Sequence, residues 1–377
     1  MEWKIPLFKI HWEEEDVQSI TEVIRRGTYW ATGPEITQFE ESLAKSLDRQ
    51  YALTFNSGTS ALHTILQAYD LKSSEVLVPS FSFIATANAV LLASAKPVFV
   101  EVEEDSFGLE GNDVSEKITK KTKAIIPMHY GGQPCKEIKE LMDISNDNNI
   151  LLIEDAAQSF GSYIDKYKVG NFGDAAMFSL CQNKIITTGE GGFIVTDNER
   201  LYEKLKLIRS HGRLEKTGYD YFSNTGDNEY IEIGFNFRMA TMLAALGLSQ
   251  LRNISKVIDM RRKNAEYLNE NLKDLENLKV PIAYNDAYHI YQMYTIKLQN
   301  TNLREKLQEH LTKKRIMSKV YFNPIHLKEF YTSRYGYKKG DLPQTEELAS
   351  KVLTLPMYPD LSKEELDYII QSVREVI

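Results

Sequence analysis

The sequence predicts an α/β protein in which a doubly wound, mostly parallel sheet forms a large domain and a smaller α+β domain follows it. Three observations lead to this. Short apolar runs occur without polar alternation, such as Ile150-Leu151-Leu152-Ile153, and a strand covered on both faces reads this way. Such runs alternate with segments of helical period through residue 255, the pattern of right-handed crossovers and a doubly wound sheet. Near residue 256 the pattern changes to a long helix followed by mixed strands and helices. The expected domains are therefore residues 1–255 and 256–377.

In chain order, Glu13 to Asp16 place acids in the first turn of a helix that carries Val17, Ile20 and Ile24, which suits the helix dipole, and Gly27 ends it. Residues 28–34, with Tyr29 and Trp30, form a loop, and residues 35–47 a second amphipathic helix. A strand at 51–55 is followed by the small polar turn Asn56-Ser57-Gly58-Thr59-Ser60 and a helix over 61–69. Strand, small turn and helix N-terminus present free N–H groups that either take a phosphate or carry only a capping hydroxyl. A strand at 76–79 leads through Ser80-Phe81-Ser82-Phe83 into an Ala-rich helix ending near Val90, and residues 96–102 and 124–129 supply two more strands. The run at 150–153 ends in Glu154 and Asp155, at the kind of strand end where open α/β sheets bind ligands. A strand over 175–180 opens a polar loop that carries Lys184 and closes on Thr187-Thr188-Gly189-Glu190-Gly191-Gly192. After it come a strand at 193–196 and a helix at 199–210. Residues 215–230, polar, Tyr-rich and without period, read as a mobile loop, and a helix runs on to Leu251. The smaller domain reads as a helix at 261–272, a strand at 291–296 and helices at 303–311 and 346–352.

Composition narrows the function. The 377 residues are 42% hydrophobic and 26% charged, which fits an ordinary globular chain with a sizeable core rather than a disordered or fibrous one. A net charge of −8 with no basic block argues against nucleic acid as a partner. Cys135 and Cys181 are the two cysteines, so a disulfide scaffold is excluded and a reducing compartment fits. Cys181 reads as a packing residue rather than a nucleophile. No apolar run approaches the roughly 18 residues of a membrane span, and the first residues lack a signal-type apolar stretch. The protein is therefore expected in the cytoplasm, without a membrane partner.

A carboxylate and a lysine at strand ends suggest pyridoxal phosphate chemistry, which needs a lysine for the Schiff base and an acid on the pyridinium nitrogen. Asp155 would keep that proton in place and Lys184 would hold the aldehyde. Taken singly, Asp155 reads as readily as a helix cap and Lys184 as a solvated surface residue. The surrounding words decide.

The words NSGTSALHTIL, PSFSFIATANAV, EDAAQS, GDAAMFSL, then Lys184 and TTGEGGFIVTDN, and finally GFNFRM occur in this order. They resemble the sugar aminotransferases of the DegT/DnrJ/EryC1/StrS family, and the resemblance runs from Ile5 to Pro356. It implies a fold-type-I aminotransferase using pyridoxal 5'-phosphate, with pyridoxamine 5'-phosphate between its half-reactions. By the resemblance, Lys184 and Asp155 are catalytic, and Gly58, Thr59, Ser60 and Ser179 bind the cofactor phosphate. Phe83 stacks on the ring and Gln158 lies by its phenolic oxygen. Asn236 reaches the phosphate held by a second subunit, which implies a homodimer with shared sites. Trp30, Arg238 and His326 are candidate substrate contacts, each with a structural alternative, and His129 is open in the same way. No metal is implied. The expected substrates are a nucleotide-linked keto sugar, foremost a 4-keto-6-deoxyhexose, and L-glutamate as amino donor, in amino sugar biosynthesis for O-antigen lipopolysaccharide. Two alternatives share the fold, a sugar dehydratase and a non-catalytic regulator. The dehydratase branch carries histidine at the lysine position, so Lys184 argues against it. The set Asp155, Gln158, Ser179 and Lys184 argues against the regulator.

Overall fold

A computed structural model describes residues 2–214, 229–284 and 286–377. The mobile loop expected over 215–230 lies, but for its last two residues, outside the described residues. Two helices come first, α1 (Glu14–Arg26) and α2 (Pro34–Ser46). The acids of α1 stand in its first turn, Glu13 and Asp16 form a capping box, and Gly27 closes it at φ 74°. The alternating region follows as β1 (Tyr51–Phe55), α3 (Gly58–Ala68), β2 (Glu75–Pro79), α4 (Ala85–Leu92), β3 (Lys96–Val100), α5 (Gly111–Lys117), β4 (Thr122–Ile125), α6 (Ile138–Asn148) and β5 (Leu151–Asp155). A two-strand ribbon, β6 (Tyr163–Ile164) and β7 (Tyr167–Lys168), precedes β8 (Ala175–Ser179), β9 (Gly192–Thr196), α7 (Glu199–Arg209) and α8 (Thr241–Arg252).

The main sheet has the order β1-β9-β8-β5-β4-β2-β3. Its pairs from β3 to β8 are parallel, while β9 runs antiparallel to both β8 and β1. Adjacent residues of its central strands feed opposite faces: Leu152, Phe178 and Phe193 join one buried cluster, and Ile153, Met177 and Ile194 another. Burial on both faces is why these strands are continuously apolar. Because these strands run in one direction, the carboxyl ends of β1, β2, β4, β5 and β8 lie on one edge.

The remainder comprises α9 (Ile254–Leu272), β10 (Leu278–Lys279), β11 (Ala287–Tyr288), β12 (Tyr294–Leu298), α10 (Thr301–Lys313), α11 (Glu329–Tyr335), α12 (Pro343–Lys351), β13 (Val352–Leu355) and α13 (Lys363–Arg374). Strands β10, β12 and β13 form an antiparallel sheet, and a third cluster built on Leu268, Tyr294, Ile296, Leu353 and Ile369 packs around it. The chain crosses the expected boundary at 256. Ile5 belongs to the third cluster and bridges to Ile316, whereas Ile325, Tyr331 and Leu342 pack in the second cluster with the main sheet. Strand β11 pairs with β6 of the first region.

Several elements differ from the expectation for local reasons. Helix α3 begins at Gly58 rather than Ala61 because the Ser57 hydroxyl caps it, accepting from the Ser60 N–H at 3.1 Å. Strand β4 ends at Ile125, ahead of Pro127, which has no N–H to give a ladder. Strand β12 starts at Tyr294 because the residues before it turn to the large domain, Met293 donating to the Gly131 carbonyl at 3.0 Å. Among the described residues, no helix is long and apolar enough to cross a membrane.

Candidate active site

The site is assembled on the edge where the parallel strands end. Asp155 closes β5 and is 3% exposed. Its Oδ2 accepts from the Thr86 hydroxyl at 2.7 Å and its Oδ1 from the Ala157 N–H at 3.2 Å. Burial raises this carboxyl above the usual carboxylate range, against the pull of Thr86, Ala157 and Lys184. Lys184 sits on the loop between the antiparallel strands β8 and β9, which works as a long hairpin. The Leu180 N–H donates to Gly191 at 2.9 Å, the Thr188 N–H to Leu180 at 3.0 Å, and Gly189 turns at φ 82°. Burial lowers the Lys184 amine below its ordinary value, with Asp155 pulling the other way. Among the described residues it makes no hydrogen bond or salt bridge through its amine. An acid pushed toward neutral and an amine pushed toward neutral therefore stand within reach of each other's charge.

Around this pair the expected residues take distinct places. Phe83, following β2, leaves 59% of its surface exposed, with Phe322 at 6.3 Å between ring centres. Three residues on, Thr86 in α4 holds Asp155, so the aromatic face and the acid are placed by one turn. The first turn of α3 meets the end of β8: a Cβ added at Gly58 would lie 3.2 Å from the Ser179 Cβ and 3.1 Å from the Met177 sulfur. One at Gly192 would lie 2.5 Å from the Gly58 nitrogen. Glycine is required at Gly192, where backbone meets backbone, whereas at Gly58 the Ser179 and Met177 side chains would have to give by a few tenths of an ångström. The Ser57 and Ser60 hydroxyls are 2.9 Å apart, and Thr59 is exposed at the start of the same helix. The Ser179 Oγ accepts from the Cys181 N–H at 3.3 Å. Gln158 is 6% exposed, and its Oε1 accepts from the Gly131 N–H at 2.7 Å.

Asn236 is exposed, its backbone carbonyl receiving the Asn56 amide at 3.4 Å. Tyr230, Ile231 and Ile233, a few residues before it, are 57%, 58% and 81% exposed, an apolar rim on this segment. Trp30 donates from its indole to the Val23 carbonyl at 3.1 Å and takes the Thr241 N–H on its own carbonyl, leaving 47% of the residue exposed. Arg238 donates to the Ser210 hydroxyl at 3.0 Å.

Two histidines have structural posts instead. His326 is fully buried; its Nδ1 meets the Ser80 Oγ at 2.6 Å and its Nε2 the Glu346 Oε1 at 3.1 Å. Both ring nitrogens are used and no face is open, so His326 leaves the set of substrate contacts. His129 is likewise fully buried. Its Nδ1 accepts from the Cys135 N–H at 2.9 Å, which puts the proton on Nε2, 3.0 Å from Glu154. Glu154 also accepts N–H bonds from Gly170, Phe172 and Gly173, each at 2.8 Å. Burial raises its carboxyl, but these donors win and hold it below the usual range. Of the two adjacent acids, Glu154 braces the fold and Asp155 faces the site. Thr86 escaped the sequence reading; its signal was the one-turn spacing from Phe83.

These features suit a flat, charged-ring cofactor with a phosphate. Among the described residues the buried acid forms no salt bridge, an aromatic face is left open, and an amine lies near. A helix N-terminus abuts a serine hydroxyl through glycines that a Cβ would clash with. A separate cavity of about 580 Å³ reaches Gly131 and Met293 but includes neither Asp155 nor Lys184.

The sequence profile of the DegT/DnrJ/EryC1/StrS aminotransferase family matches residues 11–374. An uncharacterized protein of Methanocaldococcus jannaschii is 33% identical over 99% of this chain and 97% of its own length. A GDP-perosamine synthase of Escherichia coli O157:H7 is 33% identical over 98% of each chain. Among solved structures, an aminotransferase of Helicobacter pylori involved in the biosynthesis of pseudoaminic acid superposes with a TM-score of 0.92 at 28% identity, over 100% of this chain and 99% of that one.

Proposed function

Since the chain belongs to the DegT/DnrJ/EryC1/StrS aminotransferase family and is a pyridoxal phosphate-dependent sugar aminotransferase, we propose that it aminates the keto carbon of a nucleotide-linked sugar. The acceptor is a 4-keto-6-deoxyhexose and the donor L-glutamate. The relative named GDP-perosamine synthase supports a nucleotide-linked sugar, and the product enters a surface glycan such as O-antigen. A cytoplasmic location rests on the two unpaired cysteines. The reading is carried by one observation: Asp155, buried at the end of β5, and Lys184, half-buried on the loop of the β8–β9 hairpin, lie within reach of each other's charge.

When bound, pyridoxal phosphate supplies an electron sink for the charge released at the substrate carbon. Asp155 would hold the proton on the ring nitrogen, its charged form, disfavoured by burial, being restored beside that cation. Lys184, drawn toward its neutral form, takes and returns the proton at the reacting carbon. Phe83 offers its open face, worth about 0.5–1.5 kcal/mol beyond burial. The N–H groups at Gly58 and Thr59 and the hydroxyls of Ser60 and Ser179 take the phosphate. Gln158 faces the phenolic side of the ring. Asn236, exposed in the chain, completes the phosphate site of a second copy in a homodimer. Trp30 and Arg238 border the substrate side.

The test is the visible absorbance of the purified protein with added pyridoxal phosphate, before and after L-glutamate. A visible band that L-glutamate bleaches, and that Lys184→Ala abolishes in a folded chain, is the expected result. Retained turnover in Lys184→Ala overturns the assignment.

A further inference from the structure

Residues 290–293 touch the large domain on two sides. Ile290 donates to the Gly132 carbonyl and Met293 to the Gly131 carbonyl, each at 3.0 Å, and the Gly131 N–H in turn holds Gln158. Between them, the Gln292 side chain is 5% exposed and its Nε2 donates to the carbonyl of Asn183, the residue before Lys184. The N–H of that same peptide plane donates to the Cys181 carbonyl at 2.9 Å. A rigid plane tied at both its carbonyl and its N–H fixes the direction in which the Lys184 side chain leaves the backbone.

Gln292 is an expensive choice for mere packing. Its Oε1 is buried without a hydrogen-bond partner among the described residues, and an unpaired buried acceptor destabilises by about 1–3 kcal/mol. An apolar side chain would avoid that cost, so the N–H toward Asn183 is the reason the amide is there. Arg261 repeats the pattern. It is 3% exposed, and its Nη1 donates to the carbonyls of Tyr291 and Gln292 at 3.3 Å and of Met357 at 3.1 Å. Among the described residues it forms no salt bridge, and Lys184 lines the same small recess.

We propose that Gln292 is a positioning residue for Lys184, seated from the small domain by Arg261. The proposal rests on Lys184 being the lysine of the reaction. A side chain as long as lysine swings once its peptide is loose, and misplacement by about 1 Å costs up to about 100-fold in rate.

The test compares Gln292→Met with the parent chain in two measurements that need no sugar substrate. In the cofactor-free chain, hydrogen exchange over residues 181–189 should quicken about tenfold while the strands of the main sheet keep their protection. In the cofactor-loaded protein, the pH at which the visible band titrates should move upward, because a looser, wetter site favours the protonated lysine nitrogen. Gln292→Glu, which keeps the length but turns a carboxylate to the Asn183 carbonyl, should move both readouts further, and it replaces Gln292→Met should that variant not fold. Unchanged exchange and an unchanged titration overturn the proposal. A parent protein with no visible band even with added pyridoxal phosphate overturns the cofactor reading instead, and the exchange experiment still judges Gln292.

Discussion

Asp155 and Glu154 are neighbours in sequence and alike in chemistry, yet the fold gives them opposite work. Glu154 collects three backbone donors and a histidine, whereas Asp155 is left with a hydroxyl and one N–H. A folded-state pKa above the unfolded value means that Asp155 costs stability as pH rises from about 4, where the unfolded carboxyl ionises, through its raised value. Asp155→Asn should therefore raise the melting temperature of the cofactor-free chain at neutral pH, with the gain vanishing below about pH 4; thermal scans across pH check it. The same variant should lose turnover by about 100-fold or more, because an amide cannot keep the ring proton in place. The acid–lysine pair was legible in the sequence, since both stand where apolar runs end. The inward turn of His326 was not, because its partners Ser80 and Glu346 are distant in the chain and nothing local distinguishes a histidine that faces a substrate from one that faces a serine.

At the level of elements, the apolar runs gave away the strands of the main sheet, because burial on both faces leaves no room for polar alternation. Boundaries were less legible where a side chain or a long-range contact set them, as Ser57 does for α3 and Gly131 for β12. The tail elements β13 and α13 went unread, since four strand residues and a capped amphipathic helix take their meaning from the third cluster they cover. The junction of α3 with β8 makes a direct prediction. Gly58→Ala puts a methyl group against Ser179 and Met177, and should weaken cofactor affinity on the order of tenfold, about 1.4 kcal/mol. Titration of the cofactor-free protein with pyridoxal phosphate measures this. Thr86→Val on α4 frees Asp155 Oδ2 of its hydroxyl donor and should lower turnover while leaving the main-sheet core packed, as kinetics beside a denaturation curve would establish.

For the whole molecule, the proposed shared-site homodimer predicts complementation. In a hybrid of Lys184→Ala and Asn236→Ala subunits, one site draws its lysine and its asparagine from undamaged positions. Refolding the two variants together should restore activity that neither shows alone, and a mixture as inactive as its parts would count against the shared arrangement. The apolar rim of Tyr230, Ile231 and Ile233 adds a consequence for handling the protein. In the proposed homodimer these residues are covered only while two copies stay together, so catalysis inherits the mass-action law of assembly. Diluted below the concentration at which halves part, the enzyme should lose activity per molecule over time and regain it when reconcentrated, with a lag on return that an assay begun from a dilute stock would record.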